Sequence, residues 1–415
     1  MKPNRSHDGA HVGSGTTQRH LYLILDDWFR GYSIRSVDLT PVASLQYSCG
    51  GEYAKPLPPA LLRLEAPRGM PKFFTAAFNN KIFAMHPRVI NGMPTRFASK
   101  NLVPVFDVLN RSVMFGPRPL ENPSLLPPEN PSLLNTAIPI YITHGNRLFA
   151  LGEGMWAVLL PPPFEDPRGD CDRVWSWQVL DPPTSFSCRN VLCYGAYPDG
   201  LSIFFCIGAP NARETHVFTF HDAIGVDIDD EGEEYYVPKV YGCWTLHSQV
   251  SLPFSGQVYY DGELDSWVGL SSSPGCLGHI CSCSELPWTS SPRGGAFRIS
   301  EAKLFMEASL YGRKAEHIGV KLVHLGGESR GGRFCLVECV SVNHVPPEQV
   351  VDVSEEEGEQ DVPQCSSNLL IVTSFLVKYD IDGKLKTDKN RHQLCYSLPG
   401  GVTQFSREHP TAFWM

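Results

Sequence analysis

Ile140-Tyr141-Ile142-Thr143-His144-Gly145-Asn146-Arg147-Leu148-Phe149-Ala150-Leu151 is an apolar strand, a two-residue polar turn and a second apolar strand. Gly and Asn tolerate the positive φ that tight hairpin turns demand, so the stretch reads as a β-hairpin. The same phrase stands earlier as Phe73-Phe74-Thr75-Ala76-Ala77-Phe78, then Asn79-Asn80, then Lys81-Ile82-Phe83-Ala84-Met85. It returns from Val191 to Tyr197, with a turn at Pro198-Asp199-Gly200 and a second strand Leu201-Ser202-Ile203-Phe204-Phe205. Hairpins repeated along a chain in this way write a radially repeated sheet. An all-β propeller is the expected architecture.

Working outward, the chain divides into six such units, with seven as the alternative count. The second is the hairpin 73–85 followed by 103–107 and 112–115, where Asp107 ends a strand and turns back as the outer hairpin of a blade. The third runs from 138 to 180, the fourth from 191 to about 248, and the fifth from Gly256 through Trp267-Val268-Gly269-Leu270. The sixth gathers 319–323, 333–339, 369–379 and 393–398. A propeller needs its ends joined, so residues 21–25 are expected to pair beside the strand at 393–398, which removes exposed sheet edges. The expected organisation is a disordered tail at 1–20, a single propeller over 21–400 and a C-terminal tail at 401–415. Acidic insertions stand near 227–234 and 346–363, and residues 119–131 form a proline-rich connector.

Composition agrees. Among 415 residues, hydrophobic types make up 42%, enough for a core, while 35 Pro and 36 Gly fit many short strands joined by turns. The net charge of −9 argues against nucleic acid, whose phosphates need a basic surface. Residues 1–20 lack the apolar run of a secretory signal, and no stretch approaches the roughly 18–20 apolar residues of a membrane span. The expectation is a soluble, intracellular, monomeric chain whose thirteen cysteines are mostly reduced and buried.

Candidate chemistry is sparse. Asp227-Ile228-Asp229-Asp230-Glu231-Gly232 opens like a calcium loop, but the twelfth position is Pro238, which cannot supply the closing carboxylate. Cys276, Cys281 and Cys283 stand close together with His279 between them, yet the spacing lacks paired zinc-ligand modules and a fourth partner. Ile280-Cys281-Ser282-Cys283 reads equally as a strand with buried thiols. G-x-S-x-G, H-E-x-x-H and the phosphate-binding loop are absent. No catalytic, cofactor or metal residue is assigned from sequence.

One stretch adds a resemblance. Leu252-Pro253-Phe254, leading to Asp261-Gly262-Glu263-Leu264-Asp265-Ser266-Trp267-Val268-Gly269-Leu270 and then Gly278-His279-Ile280-Cys281-Ser282-Cys283, resembles a plant family, expanded in cereal grasses, of kelch-like proteins of unknown function. Val105-Phe106-Asp107 leading to Gly116-Pro117, and the Arg147-Leu148-Phe149-Ala150 phrase, are similar too. The likeness covers about residues 20–400. It implies a kelch-like β-propeller and a plant origin, with no reaction or catalytic residues to carry over. From the residues themselves, Trp267 and Val268 read as packing between blades, flanking a Gly269 that admits a neighbouring sheet closely.

The functional expectation is a non-catalytic scaffold that binds another protein through inter-strand loops on one propeller face, since loops on a rigid scaffold concentrate recognition. The alternative is an enzyme acting on a small molecule or glycan in the channel. Convergent buried carboxylates or a metal would favour the enzyme, and an exposed apolar or aromatic patch the binder.

Overall fold

The computed structural model describes residues 19–39, 54–86, 89–90, 93–94, 102–119, 139–152, 155–162, 175–181, 187–209, 212–228, 232, 234–248, 252–288, 296–305, 309–310, 313–326, 331–343, 366–388 and 391–415. Residues 1–18 of the expected tail at 1–20, most of the connector at 119–131 and the acidic insertion at 346–363 lie outside them.

The apolar phrases become strands buried on both sides. In Arg147–Gly152, Leu148 and Ala150 face one core and Phe149 and Leu151 another. In Leu21–Trp28, Leu21, Leu23 and Leu25 face one way and Tyr22 and Ile24 the other. A strand covered on both faces reads as a continuous apolar run rather than as alternation.

The strands gather into six four-stranded antiparallel groups in a propeller-like all-β fold, the fourth and fifth joined edge to edge as one eight-stranded sheet and the sixth widened by short flanking strands. The first pairs Thr411–Trp414, Leu21–Trp28, Gly31–Val37 and Ala60–Glu65. The second runs Phe74–Ala77, Lys81–Ala84, Leu102–Asp107 and Ser112–Pro117. Ile140–His144, Arg147–Gly152, Met155–Leu159 and Trp177–Leu180 form the third. The fourth holds Val191–Ala196, Ser202–Ala209, Ala212–Ile228 and Glu234–Ser248. Phe254–Asp261, Ser266–Ser271, Ile280–Cys283 and Arg298–Ile299 make the fifth. The sixth is Arg313–His324, Gly332–Asn343, Ser366–Tyr379 and His392–Ser397.

Six hydrophobic cores lie between consecutive sheets, the sixth core joining the last sheet to the first. The sheets therefore stand in a ring. Their first strands form its inner edge: Val191–Ala196 pairs in parallel with Phe254–Asp261, and Tyr259 Oη on the latter donates to Leu322 O of Arg313–His324 at 3.0 Å. Thr143 Oγ1 likewise donates to Ala76 O, joining the third sheet to the second.

Ring closure differs from expectation. Leu21–Trp28 pairs with Thr411–Trp414, from Leu21↔Trp414 to Ile24↔Thr411. His392–Ser397 lies instead on the outer side of the sixth sheet, beside Ser366–Tyr379 and, in parallel, Lys55–Pro56. Residues 401–415 are thus a folded part of the ring and include the short helix Gln404–Glu408. Buried Asp26 ties the closure: it accepts from Gly69 N at 2.9 Å, Thr403 N at 3.1 Å and Thr403 Oγ1 at 2.6 Å.

Three hairpins share one device. Asp107 Oδ1 accepts from Leu109 N and Asn110 N, Asp261 Oδ1 from Glu263 N and Leu264 N, and Asp199 Oδ1 from Leu201 N and Ser202 N. In the first two, the fourth residue on takes a positive φ, 51° at Arg111 and 46° at Asp265. A short acid that binds the two amides ahead of it fixes the turn.

His86 gives the fold a pH dependence. It is buried against Tyr32, Phe73 and Phe74, and among the described residues neither ring nitrogen has a hydrogen-bond partner. Burial, reinforced by Arg118, drives its pKa to about 3. The unfolded chain protonates this imidazole below about pH 6.5 and the folded chain does not, so stability falls as pH drops from there towards 3. The expected loss is about 2 kcal/mol between pH 6.5 and 5. Denaturant melts of wild type and His86→Phe across that range measure it. The variant should lose this part of the slope, and an unchanged slope would refute the assignment.

Candidate functional site

Two places on the ring gather side chains that packing does not explain. The first is the outer hairpin of the fourth sheet. Its strands Ala212–Ile228 and Glu234–Ser248 stay paired from Glu214↔Ser248 to Ile228↔Glu234. Their neighbour Ser202–Ala209 reaches only Ser202↔Thr219, so beyond Phe220 the hairpin leaves the sheet as a two-stranded ribbon.

Alternation continues along that ribbon after the core has ended. Phe218, Phe220 and Val240 pack inward, and the same face then presents Ile224 opposite Pro238 and Val226 opposite Tyr236. Ile224 is 76% exposed, Val226 46% and Tyr236 80%. The opposite face is closed. The Lys239 stem lies over Gly225, where a Cβ would come within 2.5 Å of Lys239 Cδ, and Nζ donates to Val226 O at 3.4 Å. A lysine stem covering backbone leaves one apolar face open and one sealed.

The ribbon's base is fixed across sheets. Arg147, just after the Gly145-Asn146 turn of the third sheet, donates to both carboxylate oxygens of Asp222, with Nε at 2.9 Å, and lies over the Phe220 ring at 5.4 Å. Between 227 and 234 the sequence carries six carboxylates and no cation.

The second place is the inner edge of the ring. Lys321 Nζ on Arg313–His324 donates to Gln257 Oε1 on Phe254–Asp261 at 3.3 Å. Lys72 lies in the 3₁₀ turn Pro71–Phe73 that leads into the second sheet, and His409 caps the helix Gln404–Glu408 two residues before Thr411 of the closing strand.

Sequence-derived candidates fall elsewhere. Cys281 and Cys283 project from one side of Ile280–Cys283 into the core between the fourth and fifth sheets. Burial pushes their thiols up to about 12 and about 11. Cys283 Sγ donates to Glu285 O at 2.6 Å, and His279 Nδ1 meets Ser300 O at 2.7 Å. Those contacts fit the reading as a strand with buried thiols. Asp227 is the penultimate residue of its strand, and Asp229, Asp230 and Glu231 lie outside the described residues.

Trp267 and Val268 face opposite cores, Trp267 against Phe204 at 5.2 Å and Val268 beside Leu322 and Phe334. Packing between sheets is their role. Gly269 differs from expectation: what approaches it is Phe254 and Val258 of its own sheet. Among the described residues, no three or more His, Cys, Asp or Glu side chains stand together as a metal group, and no helix is long and apolar enough to cross a membrane.

The family model described as a protein of unknown function, DUF1668, matches residues 18–396. The chain belongs to the DUF1668 family. The match spans the ring from before its first strand to the outer strand of the sixth sheet, and it stops short of the closing strand Thr411–Trp414. No curated protein matches this DUF1668 chain.

Proposed function

We propose that this DUF1668 protein is a non-catalytic scaffold that docks another protein on the open face of its long hairpin. The observation that carries the reading is the contiguous apolar face of Ile224, Val226, Tyr236 and Pro238, held outside the sheet on an anchored ribbon. Exposed apolar surface of this kind marks interaction sites, and a rigid aromatic such as Tyr236 is the usual anchor. The acidic run at the ribbon's end selects a partner whose apolar groove is rimmed by Lys or Arg. Two carboxylates that an enzyme reading would recruit, Asp107 and Asp261, are occupied as turn caps.

The finer assignments belong to the same reading. The described cysteines are thiols rather than disulfides, which supports an intracellular site. The acidic balance supports a protein partner over nucleic acid. The stretch from Leu252 to Leu270 supports a kelch-like relationship and a plant origin.

The test is a quantitative capture from the source tissue with wild-type and Ile224→Ser/Tyr236→Ser baits. Both positions are exposed, so thermal stability should stay within about 0.5 kcal/mol of wild type. The partner retained by wild type should bind the variant at least tenfold more weakly. Equal retention would remove the ribbon from consideration.

A further inference from the structure

The two edges of the long hairpin are not alike. On the Glu234–Ser248 side, Val240 N donates to Gln178 Oε1 at 2.8 Å and Val240 O accepts from Gln178 Nε2 at 2.6 Å, which ties that edge to the outer strand of the third sheet. Pro238, two residues farther out, takes a backbone donor away from the same edge. On the Ala212–Ile228 side, the last bond to the neighbouring strand runs from Phe220 N to Leu201 O at 2.8 Å. Beyond it, among the described residues, no strand lies against that side of 221–228.

The ladder decides which groups this open edge offers. In a strand, the N–H and C=O of one residue point to the same side and those of the next residue to the other. Phe220 N points to the open side and the register runs to Ile228↔Glu234 without a shift, so Asp222, Ile224 and Val226 point there too. Ala223 and Gly225 point into the hairpin. Their opposite numbers agree: Val240, across from Asp222, turns both its groups to Gln178, and Pro238, across from Ile224, has no N–H to give. Lys239 crosses Gly225 and donates to Val226 O at 3.4 Å, a long bond that covers this carbonyl.

Outward backbone groups beside the exposed side chains of Ile224 and Val226 are a template for one more strand. We propose that the hairpin receives an extended segment of its partner as a strand added along 222–226. That segment places apolar side chains next to Ile224 and Val226, and Lys or Arg at the end nearest the hairpin tip, whose sequence carries six carboxylates and no cation from 227 to 234. Backbone bonds supply the attachment, the alternate apolar side chains extend the open face, and the carboxylates select the charge. Lys239 guards the edge against adventitious pairing and gives up its carbonyl to an incoming N–H. The proposal rests on the hairpin reading and adds to it the backbone form and charge of what docks there.

Backbone amide hydrogen exchange on the intact protein, read residue by residue, tests the proposal. The probe is a peptide of alternating valine and threonine with two lysines at each end, extended by composition. It should slow exchange at Ile224 and Val226 at least tenfold and leave the already paired Ala223 and Gly225 unchanged. The same peptide with an N-methylated backbone, and one with glutamates for the lysines, should each bind at least tenfold more weakly. Ile224→Pro keeps an apolar side chain and every bond of the ladder, so it should melt with wild type and bind the peptide at least tenfold more weakly. No protection at Ile224 and Val226, equal binding of either control peptide, or wild-type binding by folded Ile224→Pro would each overturn the added strand. Protection that rises with protein concentration in the absence of peptide would overturn it in favour of a second copy of this chain. None of these results touches the hairpin reading, which fails only if the Ile224→Ser/Tyr236→Ser bait keeps the captured partner.

Discussion

A chain ended at residue 409 is expected to lose cooperative unfolding and to self-associate. The deletion takes away Thr411–Trp414, which covers the edge of Leu21–Trp28 along four residue pairs. It also removes Ala412 from the core between the first and sixth sheets, together with the packing of Trp414 against it. Met415 and His20 exchange backbone hydrogen bonds at 2.8 and 3.2 Å, and Thr411 Oγ1 donates to Pro71 O at 3.1 Å. At about 1.5–3 kcal/mol for each large apolar side chain buried, the loss is on the order of 5 kcal/mol. That approaches the whole stability of many domains. The bared strand is a template for pairing with another chain. Denaturant melts and size-exclusion chromatography decide the matter. A sharp wild-type transition from a monomeric truncated protein would show that the closing strand is dispensable.

Asp107→Ala should destabilise by about 4 kcal/mol. Asp107 and Lys81 are both buried, with Nζ at 3.4 Å from Oδ2, and Asn80 and Asn110 side-chain amides each donate to the same oxygen at 3.1 Å. Burial alone would raise this carboxyl. The Asn110 amides, Lys81 and the Leu109 N–H outweigh it and hold the pKa below the usual carboxylate range. Removing the carboxylate frees two turn amides and takes the Asp107 charge away from a buried ammonium, which is the expensive way to break an internal pair. Adding Lys81→Met to Asp107→Ala should recover a large part of the loss, because the cycle then lacks the stranded charge. Urea melts of the four proteins measure both quantities. If the double variant is as unstable as the sum of the single ones, the charge pair is not the source.

Much of the ring was legible because its hairpins are local. In each of the second to sixth units the turn residues, the apolar runs and the sheet coincide, and Asp107 does end a strand that turns back as an outer hairpin. The closing strand was not legible. Thr411-Ala412-Phe413-Trp414 is short, and its pairing is set by tertiary contact with a strand at the other end of the described chain. Gln393-Leu394-Cys395-Tyr396-Ser397 is a better strand by composition and won the assignment for that reason. Ala60–Glu65 escaped notice as well, because an outer strand with exposed Leu61 shows little apolar contrast.

The open face of the long hairpin was half visible. Alternating apolar residues at Ile224, Val226 and Tyr236 were in plain sight, but their exposure depends on where Ser202–Ala209 stops. The contact of Lys321 with Gln257 was invisible to any local reading, since the two strands meet only in the ring.

The strap at Asp26 has a kinetic meaning. It is joined to Thr403 across 377 residues, whereas a hairpin such as 144–147 closes over two. Bringing ends that far apart together costs about 5 kcal/mol of chain entropy before any contact returns it. Five of the six sheets are made from a continuous run of sequence, or nearly so, and can form without waiting for distant partners. The first cannot. An open ring, with local sheets formed and Leu21–Trp28 still lacking its partner, is therefore the natural late stage of folding, and the same parting of two strands is the gate through which unfolding begins.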